Sequence, residues 1–404
     1  MRTIKLLASL SLVFAPTALA WGAAGHEIVA TIAEIHLVPS VLAYLRSDES
    51  RLLPAYAQGH LAPVAAWADA IRGIPEFRGW SGPLHYTGWE GDHPPELCAW
   101  PDAEDQHTHT EGEGEDHGHW NSEHDVLHAI ANYTGRLDAD PTDWVSLRFL
   151  VHFLGDVHQP LHLTSRERGG NGDPVLWEGR RTNMHSLWDG LLIARALRET
   201  TNYTRPVPSQ QIEQALMGRI YDPYIRLLLW EGVRSWWRDA LPAWLSCGSS
   251  HIETAYTSGE NTGQLAFASP GSSVASRFMS DVVCPFVWAS ETHKTTCALG
   301  FPANYDDELA GSMLDRSQED DVEIEGRLLE VGGNSPFYRK IRDTKAVERL
   351  LVQGGLRLAA TLNTVLGPAA EQAGFRTSIT KGGSDAAWTR DGAYFGWLKE
   401  AELL

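Results

Sequence analysis

The stretch HFLGDVHQPLH, residues 152–162, sets three histidines and an aspartate around one glycine and one proline. Imidazole nitrogens and carboxylate oxygens are the donors that zinc takes most readily. On a helix, His152 and Asp156 stand four positions apart and share a face, close enough to grip one ion. Pro160 must stop that helix. His162 then lies beyond it, where the chain can turn back toward the same point. NMHSLWDG (183–190) repeats the spacing with His185 and Asp189. One such pair is an ordinary contact between a histidine and a carboxylate on a helix surface. Two pairs with His162 between them make five ligands and point to a metal centre. His158, six positions from His152, falls off the shared face and reads as structural.

Weaker signals surround this core. Arg2 and Lys5, the apolar LLASLSLVFA, and TALA ending at Ala20 make an export signal with an A-x-A cleavage site. Cleavage would leave Trp21 first, in WGAAGH, so that its α-amino group and carbonyl could join His26 around an ion. Asp69 and Arg72 in AAWADAIR are spaced as a helix-face pair. His85 is followed by Tyr86 in PLHYTGW.

The elements that must position these residues are mostly helical. Apolar residues recur at three- and four-residue spacing in 25–36, and 143–159 begins at a capping candidate, Asp143. Residues 185–197, 209–230 and 345–366 also read as helices. The best strand signal is DPVLWEG (173–179), a short hairpin candidate. Three stretches look like insertions or tails: the acidic, His-rich 102–120, the Ser/Gly/Pro-rich 258–276, and 374–392. The expected architecture is all-α with a minor β element.

The chain has 404 residues and a formal charge of −19. That surface argues against a sequence-independent duplex binder with a basic footprint. It does not exclude a phosphate substrate, because bound metal ions can outweigh it locally. No stretch after the signal reaches the ~18–20 apolar residues of a membrane span. Export permits disulfides, and the four cysteines, Cys98, Cys247, Cys284 and Cys297, allow three pairings that spacing cannot separate. Asn132 and Asn202 head Asn-Tyr-Thr sequons, of use in a host that glycosylates.

Taken in order, Trp21, His26, Asp69, His85, HFLGDVHQPLH, GGN (169–171) and NMHSLWDG resemble the secreted, zinc-dependent, single-strand-preferring nucleases of fungi and plants. These type I nucleases share a fold with bacterial zinc phospholipase C. The resemblance runs from Trp21 to about Asp189 and resumes at PFVWASETHKTTC (285–297) and GGLRLAATLN (354–363). It implies a single multi-helix domain over 21–368, with insertions near 102–120 and 247–284 and a C-terminal extension, 369–404. It also implies three zinc ions. Asp69, His85 and His152 would hold one, Trp21 and His26 a second with Asp156 bridging the two, and His162, His185 and Asp189 the third. Arg72 would steady the phosphate, with Gly170 and Asn171 beside the scissile group and Tyr86 stacking an unpaired base. Cys98 would pair with Cys297, leaving Cys247 for Cys284.

The implied activity is hydrolysis of RNA and single-stranded DNA to 5′-phosphorylated products by a metal-activated water, with 3′-nucleotidase activity, in a secreted monomer. One position departs from the family: three residues after His85, where the family has an aspartate, this chain has Gly88, and Glu90 or Asp92 would have to take over. Two rivals are weighed against this reading. The same cluster could serve a phospholipase C, or 17 histidines and an acidic surface could belong to an exported zinc-binding protein without turnover.

Overall fold

The computed structural model describes residues 21–100, 124–200, 203, 209–247, 282–307, 328–375, 389–390 and 392–398. The signal segment, Asn202 and the 102–120 loop lie outside these residues, as does nearly all of the 247–284 insertion. Among the described residues the fold is all-α, with two small antiparallel hairpins. Among the described residues no helix is long and apolar enough to cross a membrane.

Seven helices frame the site: α1 (Ala23–Ile35), α2 (Trp67–Ile71), α3 (Val126–Ala139), α4 (Trp144–Asp156), α5 (Leu192–Glu199), α6 (Pro285–Thr295) and α7 (Ala346–Gln372). Helix α4 starts where its sequence demands, with the Asp143 carboxylate accepting from the Val145 and Ser146 amides. Helix α7 is the hub. It is buried on all sides over most of its length, as a helix apolar all round must be, and it packs against α1, α3 and α4. It presses on α1 at Gly355, where an added Cβ would sit 2.5 Å from the Ile32 side chain. Only glycine lets the two backbones meet there.

The buried Arg357 of α7 reaches Glu291, donates to the Trp244 carbonyl at 2.8 Å and to His158 Nε2 at 2.9 Å. His158 Nδ1 donates to the Leu154 carbonyl. This histidine therefore fastens α4 to α7.

Four expectations change. The helix expected over 209–230 is broken: Gln210–Ala215 ends, Gly218 takes a left-handed φ of 68°, and a new helix starts at Asp222 with a proline in its first turn. The 173–179 stretch is only half a hairpin. Its arms are β1 (Pro174–Trp177) and β2 (Arg180–Asn183), joined through Glu178 and Gly179, both at positive φ.

The boundary at 368/369 falls inside α7, and residues 392–398 pack on the core rather than trailing as an extension. The Tyr394 amide donates to the His36 carbonyl, Trp397 is buried and its indole donates to His36 Nε2, and Asn363 donates to the carbonyls of His36 and Gly392. Asn132 also differs from its sequon: it lies in α3, only 8% exposed, which leaves no room for a glycan.

Candidate metal centre

The helix start at Asp143 sets the phase of α4, and that phase brings His152 and Asp156 to one buried point, 3.3 Å apart. His26 comes from α1 and stacks on the His152 ring with centroids 3.7 Å apart. The approach depends on Gly155, where a Cβ would lie 2.5 Å from His26 Nδ1. Asp69 arrives on the short α2, 3.7 Å from His152. His85 closes the group, 3.1 Å from both Asp156 and His152.

The two oxygens of Asp156 divide their neighbours: Oδ1 lies 3.4 Å from His26, and Oδ2 faces His85 and His152. A second group gathers His162, His185 and Asp189, the last two 3.2 Å apart.

Backbone carbonyls aim the rings. His152 Nδ1 donates to Ala65, His162 Nδ1 to His85 and His185 Nδ1 to Gly169, each at 2.7 Å, leaving Nε2 free to bind a cation. Asp189 sits in a π-helical turn, Leu187–Leu191, and its carbonyl accepts the Gly22 amide at 2.7 Å. That hydrogen bond ties the stretch just after Trp21 to the second group. Trp21 itself is wholly buried one turn before His26.

Ion pairing inside the cluster does not explain it. Burial lowers His26 and His185 to about 4 and pushes the Asp156 and Asp189 carboxyls well above the usual carboxylate range. Both nitrogens of His26, Nε2 of His85 and Oδ1 of Asp156 are buried without a hydrogen-bond partner among the described residues. Such orphaned donors and acceptors are costly unless something charged completes them. The donor set fits divalent zinc.

A cavity of about 340 Å³ opens beside the cluster, lined in part by Arg72, His85, Tyr86, His162, Arg168 and Asn171. Arg72 lies 3.4 Å from Asp69, and Tyr86 is 50% exposed. Gly170 is buried behind Asn171, and its φ of 78° needs glycine.

Neither substitute for the family aspartate reaches this cavity. Asp92 is buried and pairs with His293 at 3.0 Å, and Glu90 is not among the lining residues. Gly88 itself is pressed on the Thr164–Ser165 backbone, where a Cβ would be 2.7 Å from the Ser165 nitrogen. No aspartate fits there on this backbone. Cys98 bonds Cys297, and Cys247 bonds Cys284.

Sequence reasoning missed Gly155, Gln159 and Arg168. Gln159 donates to Asp189 Oδ1 at 2.5 Å and accepts from the Leu161 amide, fixing a ligand from within the quoted motif. An amide gives no ligand signal, so only the fold reveals it.

Known nucleases are similar to this chain in sequence. Endonuclease 4 of Arabidopsis thaliana is 28% identical over 367 residues, covering 88% of this chain and 93% of that protein. Nuclease S1 of Aspergillus oryzae is 32% identical over 186 residues, 45% of this chain and 58% of that protein. Nuclease P1 of Penicillium citrinum is 34% identical over 173 residues, 42% and 57% of the two chains. Residues 21–367 match the S1/P1 nuclease family as a whole, and the chain belongs to that family.

Proposed function

We propose that this chain is an exported, monomeric phosphodiesterase that uses three zinc ions to cut RNA and single-stranded DNA into 5′-phosphorylated products, and that it also dephosphorylates 3′-nucleotides. The observation that carries this reading is the convergence of eight His and Asp side chains, all buried but the half-buried Asp69, beside a cavity bearing Arg72, Tyr86 and Asn171. Bound zinc would supply Lewis acidity, activating water near neutral pH and neutralising charge on phosphate oxygens.

The remaining work falls to side chains. The split of Asp156 between His26 and the His85–His152 pair suits a bridging carboxylate. Trp21 would complete the His26 side with its α-amino nitrogen and carbonyl. Arg72, held beside Asp69, would bind the scissile phosphate. The Asn171 amide, anchored through Nδ2 to the Arg168 carbonyl, leaves its oxygen for the substrate.

The exposed Tyr86 ring can stack any unpaired base and finds none in a closed duplex. A protein nucleophile is not needed, and two cavity hydroxyls are already committed: Thr87 donates to Asp125 and Ser165 to the Trp89 carbonyl.

The phospholipase reading fits less well. No carboxylate lines the cavity among the described residues, and its two arginines would repel a choline-type cation. A zinc store without turnover would have no use for a substrate cavity at the metal.

The test is to give zinc-loaded protein beginning at Trp21 a single-stranded oligonucleotide and identify the product ends. Products carrying 5′-phosphate are expected. An intact oligonucleotide overturns the proposal.

A further inference from the structure

The loop RERGGN, 166–171, carries two arginines put to opposite uses. Arg166 is buried and held by Asp173 at 3.1 Å, by Asp306 and by the Pro94 carbonyl. Arg168 is exposed, lines the cavity, and makes no ion pair among the described residues. Its backbone is strained: Glu167 and Arg168 both adopt left-handed φ, at 43° and 59°. Such strain persists only where the surroundings impose it and is common at ligand sites. Here the surroundings are named. The Arg168 amide donates to Ser165, the Gly170 amide to Arg166, and Asn171 Nδ2 to the Arg168 carbonyl. The anchored Arg166 thus serves as the base from which Arg168 is presented.

Several other polar groups of the cavity are already committed. The Thr87 and Ser165 hydroxyls donate within the protein, Thr164 Oγ1 accepts from the Arg166 amide, and Arg72 is beside the ligand Asp69. On a chain of charge −19, a cavity with two guanidiniums and no lining carboxylate is selective for anions. Arg72 belongs to the metal end, where one phosphate is cut. Arg168 stands on a separate segment, the 166–171 loop, pairs with no carboxylate among the described residues, and is left for a second.

We propose that Arg168 is a substrate-length determinant: it binds a phosphate of the strand other than the one being cleaved, so that the enzyme favours polymers over substrates with one phosphate. This rests on the reading of the chain as a single-strand phosphodiesterase.

The experiment compares zinc-loaded wild type, Arg168→Gln and Arg168→Lys on a hexanucleotide and on a dinucleoside monophosphate, which has only the scissile phosphate. For Arg168→Gln, the preference for the hexanucleotide in kcat/KM should fall about tenfold, mainly through KM. The salt dependence of hexanucleotide KM should weaken by about one phosphate contact. Arg168→Lys should restore most of the preference, because a point charge suffices for phosphate.

Equal loss on both substrates would overturn the proposal in favour of a general structural role. A loss confined to one base and not rescued by lysine would overturn it in favour of base reading. An unchanged preference would overturn it outright. If wild type cuts neither substrate, the phosphodiesterase reading itself fails.

Discussion

At the scale of the residue, the candidate ligands were legible in the sequence because such chemistry is a matter of type and spacing. His152 with Asp156 and His185 with Asp189 needed only a helix to meet. What stayed hidden acts through proximity between distant segments. Gly155 carries no chemistry, yet it decides whether His26 can reach Asp156. Gly155→Ala should push the His26 ring away. The expected result is loss of about one zinc per chain by elemental analysis and at least a hundredfold drop in kcat, with the helical circular dichroism unchanged. Full zinc content in that variant would show that His26 is not a ligand. Gly88 teaches the same lesson from the other side: its sequence position suggested a missing acid, whereas its backbone contact leaves no space for one.

At the scale of the element, periodicity located α1, α4 and α7 well, since each is long and apolar on the faces it buries. It failed across 209–230, where apolar spacing continues through a break that an extended Leu216 and a left-handed Gly218 make by their dihedrals. The C-terminal segment was illegible for another reason: its role is to cap α1 through His36, a contact with no local signature.

That contact has a pH consequence. Burial lowers His36 to about 4 from 6.5, and the ring accepts from Trp397 as a neutral imidazole. Below pH 6.5 the unfolded chain takes up a proton that the native ring refuses. Stability is therefore lost as pH falls from 6.5 toward 4, by up to about 1.4 kcal/mol per unit from this residue. Urea unfolding at pH 7 and pH 5 should show the loss in wild type and a smaller one in His36→Gln. An equal loss in both would remove His36 from the account.

At the scale of the whole molecule, the candidate ligands come from α1, α2, α4, the 85–87 segment, the 160–163 turn and the run leading into α5, so an ion there would tie together most of the framework. Chelation should lower the melting temperature, and returning zinc should restore it. The same binding must release protons. Burial leaves the histidines neutral down to low pH but raises Asp156 and Asp189, so acid competes through the carboxyls. Zinc affinity should therefore fall as pH drops. Calorimetric titration in buffers of different ionisation enthalpy would reveal the proton release, and an affinity independent of pH would contradict it.

The crossing of α1 over Gly355 sets the order in which the molecule can be made. His36, at the end of α1, is held by Asn363, 327 positions later. The first helix finds its seat only after the last long helix exists, and so distant a closure is slow. A chain emerging N-terminus first therefore carries α1 without its largest partner through nearly the whole of its synthesis or passage. The seat of His26 against α4 would be locked only when α7 docks, and a chain truncated before α7 would lack that lock.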